Sequence, residues 1–124
     1  QDNGVKNALD AFVEMLSVMA IQGDLVAQKH YRVDGTNLLL HIESAYDAFR
    51  AHCKRIDYEG EIVDLRALRR LAQEKLDERG YVTALSDRAC FSGRVTRRRV
   101  VTLDLAKTTL VSIDDFAQEP PSWS

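Results

Sequence analysis

Residues 64–85 read DLRALRRLAQEKLDERGYVTAL, and the change of period at Gly80 within this stretch decides the fold. From Asp64 to Glu78 the apolar residues Leu65, Leu68, Leu71, Ala72 and Leu76 recur every three or four positions. That spacing stacks side chains on one face of an α-helix. Asp64 stands just before them and offers a side-chain oxygen to the unpaired N–H groups of the first turn. Gly80 is the expected C-terminal stop. Beyond it Tyr81, Val82, Ala84 and Leu85 suggest a strand.

Two more strands follow, at Ala89-Cys90-Phe91 and Val100-Val101-Thr102-Leu103. The residues Ser92-Gly93-Arg94-Val95-Thr96-Arg97 are read as the tip of the hairpin between them. Residues 114–117 predict one short helical turn, and Glu119 to Trp123 an extended tail. Upstream, a helix is expected from about Ser44 to Arg55, with Ala45, Ala48, Phe49 and Cys53 on one face and a polar connection at Asp57–Gly60. A hairpin occupies 30–42, its turn marked by Asp34-Gly35. Residues 5–22 form an amphipathic helix on Val5, Ala8, Leu9, Phe12, Leu16 and Met19. Val13, Met15, Val18, Ala20 and Ile21 widen its apolar surface. Such a helix is central to a core, or it packs against a partner, whether a second copy or another domain.

The length of 124 residues fits one domain with a core of its own. Its parts are an N-terminal packing or oligomerisation helix (1–29), a core (30–107) and a C-terminal extension (108–124). The order helix, connection, helix, strand, basic hairpin predicts an α+β fold, a winged helix-turn-helix with an additional N-terminal helix.

The net charge of −2 is unevenly spread. Residues 1–49 hold three basic residues against seven acids, and 100–124 one against four, whereas 50–99 hold thirteen against eight. An anionic partner would bind the basic middle. The second helix there carries Arg66, Arg69, Arg70 and Lys75, and the hairpin carries Arg88, Arg94, Arg97, Arg98 and Arg99. On a rigid helix, Arg66, Arg69, Arg70 and Gln73 are placed to reach base edges. On the hairpin, Arg94, Arg97, Arg98 and Arg99 are placed to meet phosphates. The competing reading is an ordinary charged surface or a protein interface, with Arg69 and Arg70 paired to Glu74, Asp77 or Glu78 along the helix.

Residues 38–105 resemble the C-terminal winged-helix region of phage, plasmid and viral primase–helicases. The likeness rests on Ala45-Tyr46-Asp47-Ala48-Phe49-Arg50-Ala51-His52-Cys53, on Leu65-Arg66-Ala67-Leu68-Arg69-Arg70-Leu71, and on the Phe91-Ser92-Gly93-Arg94 and Arg97-Arg98-Arg99-Val100 hairpin. It implies an accessory domain that engages double-stranded DNA in replication or in a mobile element.

No enzymatic site is expected. There is no Gly-rich phosphate loop. The triplet Asp34-Gly35-Thr36, shared with aspartic proteases, occurs once and at a turn. His30, His41 and His52 are expected in structural roles rather than in a metal site, and Cys53 and Cys90 as reduced, packed residues. No cofactor, no membrane segment and a cytoplasmic location are expected. The alternative function is a protein-interaction or oligomerisation module built on the same fold without DNA binding.

Overall fold

The computed structural model describes residues 8–27, 29–60, 62–86, 89–91, 94–96 and 99–116, with 89–91 and 94–96 described by backbone. Helix α1 (Ala8–Gln22) leads into strands β1 (Tyr31–Asp34) and β2 (Asn37–His41). Helices α2 (Ile42–Arg55) and α3 (Leu65–Asp77) follow, then strands β3 (Val82–Ser86), β4 (Ala89–Phe91), β5 (Arg94–Thr96) and β6 (Val100–Asp104). Single 3-10 turns close the described chain at Leu105–Lys107 and Ile113–Asp115. The fold is α+β, three helices with a four-stranded antiparallel sheet of order β1-β2-β6-β3, an arrangement compatible with a winged-helix-like one.

The expected elements form, with differences that have physical causes. The early hairpin joins the later strands in one sheet because β2 and β6 place Leu38 opposite Leu103 and Leu40 opposite Val101, and all four side chains are buried. The region read as a loose tip, 92–97, contains strand β5. It pairs with β4 as Ala89↔Thr96, Cys90↔Val95 and Phe91↔Arg94, in a two-stranded sheet of its own.

Helix α1 buries one stripe, Leu9, Phe12, Val13, Leu16 and Met19, inside the chain. Phe12 meets Phe49 of α2 edge-on at 5.0 Å between centroids. The opposite side of α1 remains open, with Val18 and Ile21 exposed. The apolar surface that looked nearly continuous in the sequence is therefore mostly consumed by α1's own domain. Tyr31 stacks edge-on with Phe116 at 5.5 Å, which fastens the last described segment to β1.

All three helices end in the same way. A left-handed residue closes each helix: Gly23 (φ 87°), Asp57 (φ 52°) and Arg79 (φ 61°). In each case the next N–H reaches back to a carbonyl five residues earlier, Asp24 to Met19 (2.8 Å), Tyr58 to Cys53 (2.9 Å) and Gly80 to Lys75 (2.9 Å). These are Schellman closures. The stop expected at Gly80 thus falls one residue earlier, on an arginine. Gly80 serves another need, since a Cβ there would press into the Lys75 side chain.

A left-handed non-glycine residue costs about 1–2 kcal/mol, and glycine returns part of that through greater freedom in the unfolded chain. Arg79→Gly is expected to raise stability by about 0.5–1 kcal/mol, read as a higher urea midpoint at unchanged slope. His30 supplies a pH test. Burial, with smaller contributions from the charges of Lys29 and His41, holds its pKa below the ordinary histidine value. Its Nδ1 accepts the Val26 N–H at 2.9 Å, so that nitrogen is unprotonated. The unfolded chain therefore takes up a proton near pH 6.5 while the folded one does not. Stability is expected to fall as pH drops from neutrality through 6.5, and His30→Gln to flatten that dependence.

Candidate nucleic-acid interface

Helix α3 is set by its cap and its buried face. The Asp64 carboxylate accepts the Ala67 N–H at 2.7 Å, and Leu68 and Ala72 are fully buried, with Leu65, Leu71 and Leu76 partly so. That rotation leaves positions 66, 69, 70 and 73 on the outer side, a span of roughly 10 Å at the rise of an α-helix. Arg66, Arg70 and Gln73 are exposed and Arg69 is half-buried.

The facing wall comes from the sheet. Arg66, Arg69, Arg70 and Gln73 line a cleft of about 570 Å³ whose other sides are Leu85 and Ser86 of β3, Arg99 and the start of β6, and Ile42 at the head of α2. Ile42 donates its N–H to the Arg99 carbonyl at 3.2 Å, which holds the foot of the hairpin against α2. Strand β3 adds a device of its own. Val82 pairs with Leu103 but Ala84 already pairs with Thr102, so Thr83 is an extra residue, a β-bulge. Because of it, Leu85 falls opposite Val101 rather than Val100 and lies on the helix side of the sheet, 37% exposed.

The electrostatics of the cleft are one-signed. Among the described residues, Arg66, Arg69, Arg70 and Arg99 form no ion pair and no side-chain hydrogen bond. Two acids at the C-terminal end of α3 are engaged elsewhere. Asp77 accepts from Gln73 Nε2 at 3.1 Å, and Glu78 lies 3.9 Å from Lys75 Nζ. Pairing of Arg69 or Arg70 along the helix, the neutralising alternative, is not what the chain does. A groove beside α2 makes a contrast, since it mixes Arg50 and Lys54 with Asp47, Asp57 and Asp64.

Lys75, grouped with the basic residues of α3 in the sequence, is turned away from the cleft. Its ammonium lies 5.2 Å from the centre of the Tyr81 ring and 4.0 Å from Asp10. The Tyr81 hydroxyl donates to Asp10 at 2.5 Å, and burial together with that carboxylate pushes its pKa well up. This cluster ties α1, α3 and the start of β3 together.

Five of the anticipated site residues, Arg66, Arg69, Arg70, Gln73 and Arg99, therefore come together. Arg94 belongs to β5 by its backbone, while its side chain lies outside the described residues, as do Arg97 and Arg98 entirely. Leu85 and Ser86 were not foreseen, because only the bulge brings Leu85 to this side. Cys53 is a buried free thiol whose pKa burial raises, and the Cys90 side chain lies outside the described residues. Among the described residues no group of His, Cys, Asp and Glu side chains is arranged to hold a metal ion, and no helix is long and apolar enough to cross a membrane. Comparison with protein-family models, with curated proteins and with solved structures finds no match to this chain.

The cap of α3 positions the whole arginine row. Asp64→Ala is expected to cost about 1 kcal/mol, and Asp64→Asn much less, in urea unfolding followed by circular dichroism.

Proposed function

We propose that this chain is a winged-helix DNA-binding domain in which α3 enters the major groove and the β3–β6 hairpin follows the backbone. The observation that carries the reading is the set of four arginines, from two parts of the chain distant in sequence, left without partners among the described residues around one cleft. Guanidinium groups without an acidic partner are suited to phosphates and to guanine edges. The order α2, α3, β3, β6, with β2 completing the sheet beside β6, supports the same reading. The connection between α2 and α3, residues 56–64, is longer than the three- or four-residue turn of the simplest helix-turn-helix units. An accessory role in a replication or mobile-element protein rests on the resemblance of residues 38–105 alone, and a cytoplasmic location is proposed with it.

A second reading, docking of a protein surface or a second copy, draws on the exposed Val18 and Ile21 of α1. Sedimentation at rising concentration tests it, and a mass that stays at 14.0 kDa removes the second copy.

Duplex binding is tested by fluorescence anisotropy across a salt series. The logarithm of affinity is expected to fall linearly with the logarithm of salt. In Arg66→Ala/Arg69→Ala and in Arg99→Ala the slope should flatten by about 0.9 for each phosphate that is no longer neutralised. Arg70→Ala, which takes away a partner for a base edge, should instead cost about 1–3 kcal/mol on the preferred sequence and little on random duplex. No binding by the parent at low salt would remove the DNA reading and leave the interaction module.

A further inference from the structure

We infer that the cleft between α3 and β6 seats a single unpaired nucleotide, its phosphate held by Arg66, Arg69 and Arg99 and its base laid against Leu85. The inference rests on the proposed nucleic-acid reading and specifies what that site takes.

Three observations lead there. The first is size. A cleft of about 570 Å³ matches one small molecule or one nucleotide and not a duplex, which meets α3 from outside. The second is chemistry. The backbone of a duplex offers charge and sugar, which the guanidinium groups use, but the stacked bases keep their faces covered. This cleft also presents an apolar side chain, Leu85, which lies on the edge strand of the sheet and is 37% exposed there. An apolar surface flanked by planar guanidinium groups fits the uncovered face of an unpaired base. The third is how Leu85 comes to be there. In an unbroken strand it would lie opposite Val100 on the far face of the sheet. The extra residue Thr83 brings it opposite Val101 and into the cleft. Beside it Gln73, whose amide is oriented by its bond to Asp77, retains an acceptor oxygen and a second N–H for a base edge.

One nucleotide can arrive as the end of a DNA strand or as a free mononucleotide, and the experiment separates the two. Anisotropy is measured with a labelled blunt duplex, with the same duplex carrying a short oligothymidine overhang, and with thymidine monophosphate as competitor. The overhang is expected to bind about tenfold tighter than the blunt duplex, the order that one base stacked on a protein surface supplies. Leu85→Gln should abolish that advantage. Leu85→Phe, which offers a larger face, should increase it. Circular dichroism checks that each variant is folded, and the gain in Leu85→Phe keeps the test decisive if the polar variant is not. Equal affinity for blunt and overhanging duplexes overturns the inference and leaves duplex binding standing. An overhang preference that both Leu85 variants retain overturns the assignment to this cleft. Saturable binding of thymidine monophosphate that Leu85→Gln abolishes, with no binding of either duplex, keeps the nucleotide site and removes the DNA reading. Binding of none of the three probes removes both.

Discussion

Strand β6 is hydrogen-bonded along both edges, to β2 on one side and β3 on the other, and the rest of the molecule depends on that double pairing. It joins two hairpins made far apart in the chain. Its ends are held as well: the Arg99 carbonyl accepts from Ile42, the Asp104 N–H donates to Tyr81, and the Leu105 N–H donates to Thr36. A central strand fixed in this way cannot slide, because a shift of one residue would turn Val101 and Leu103 out of the core. The position of Arg99 relative to α3 is consequently a property of the sheet and not of a loop.

The helices are locked to this sheet from the other side. Helix α1 supplies the hydrophobic filling, and the Asp10–Tyr81–Lys75 cluster fixes α1, α3 and the first residue before β3 in one place. Lys75 thereby compensates the Asp10 charge in a partly buried setting. Asp77 and Glu78 find partners at its C-terminal end, while among the described residues the arginines of its N-terminal half find none. The one ion-paired cation of α3, Lys75, thus lies where the helix is anchored, and the unpaired ones lie where it faces the cleft. A field of one sign results even though the chain as a whole carries a charge of −2.

Local features of the sequence were the legible ones. Asp64 and the leucines of α3 specify that helix and its rotation within thirteen residues, so Arg66, Arg69, Arg70 and Gln73 could be put on one exposed side from spacing alone. Asp34-Gly35 marked the first hairpin for the same reason, and Gly35 does take a left-handed conformation, with φ 66°. What could not be read depends on partners distant in the chain. The pairing of Leu38 with Leu103 joins residues whose separation no local pattern encodes. The orientation of Lys75 is set by Asp10 and Tyr81, one on each side of it in sequence and both remote from the helix face they select. The bulge at Thr83 is invisible because Val82-Thr83-Ala84-Leu85 reads equally well as a plain strand, and the plain reading puts Leu85 on the wrong face.

The same bulge separates two properties that a regular strand would keep coupled. Removing Thr83 would preserve every ladder partner of β3, since Ala84 and Leu85 already oppose Thr102 and Val101. What would change is the bend and the added twist that an extra residue imposes. The hairpin beyond Ser86 would leave the sheet along another line, while the core beneath stayed as it is. Thr83 is in that sense an adjustable joint: insertions or deletions at this one exposed position can re-aim the arm without disturbing the frame that carries it.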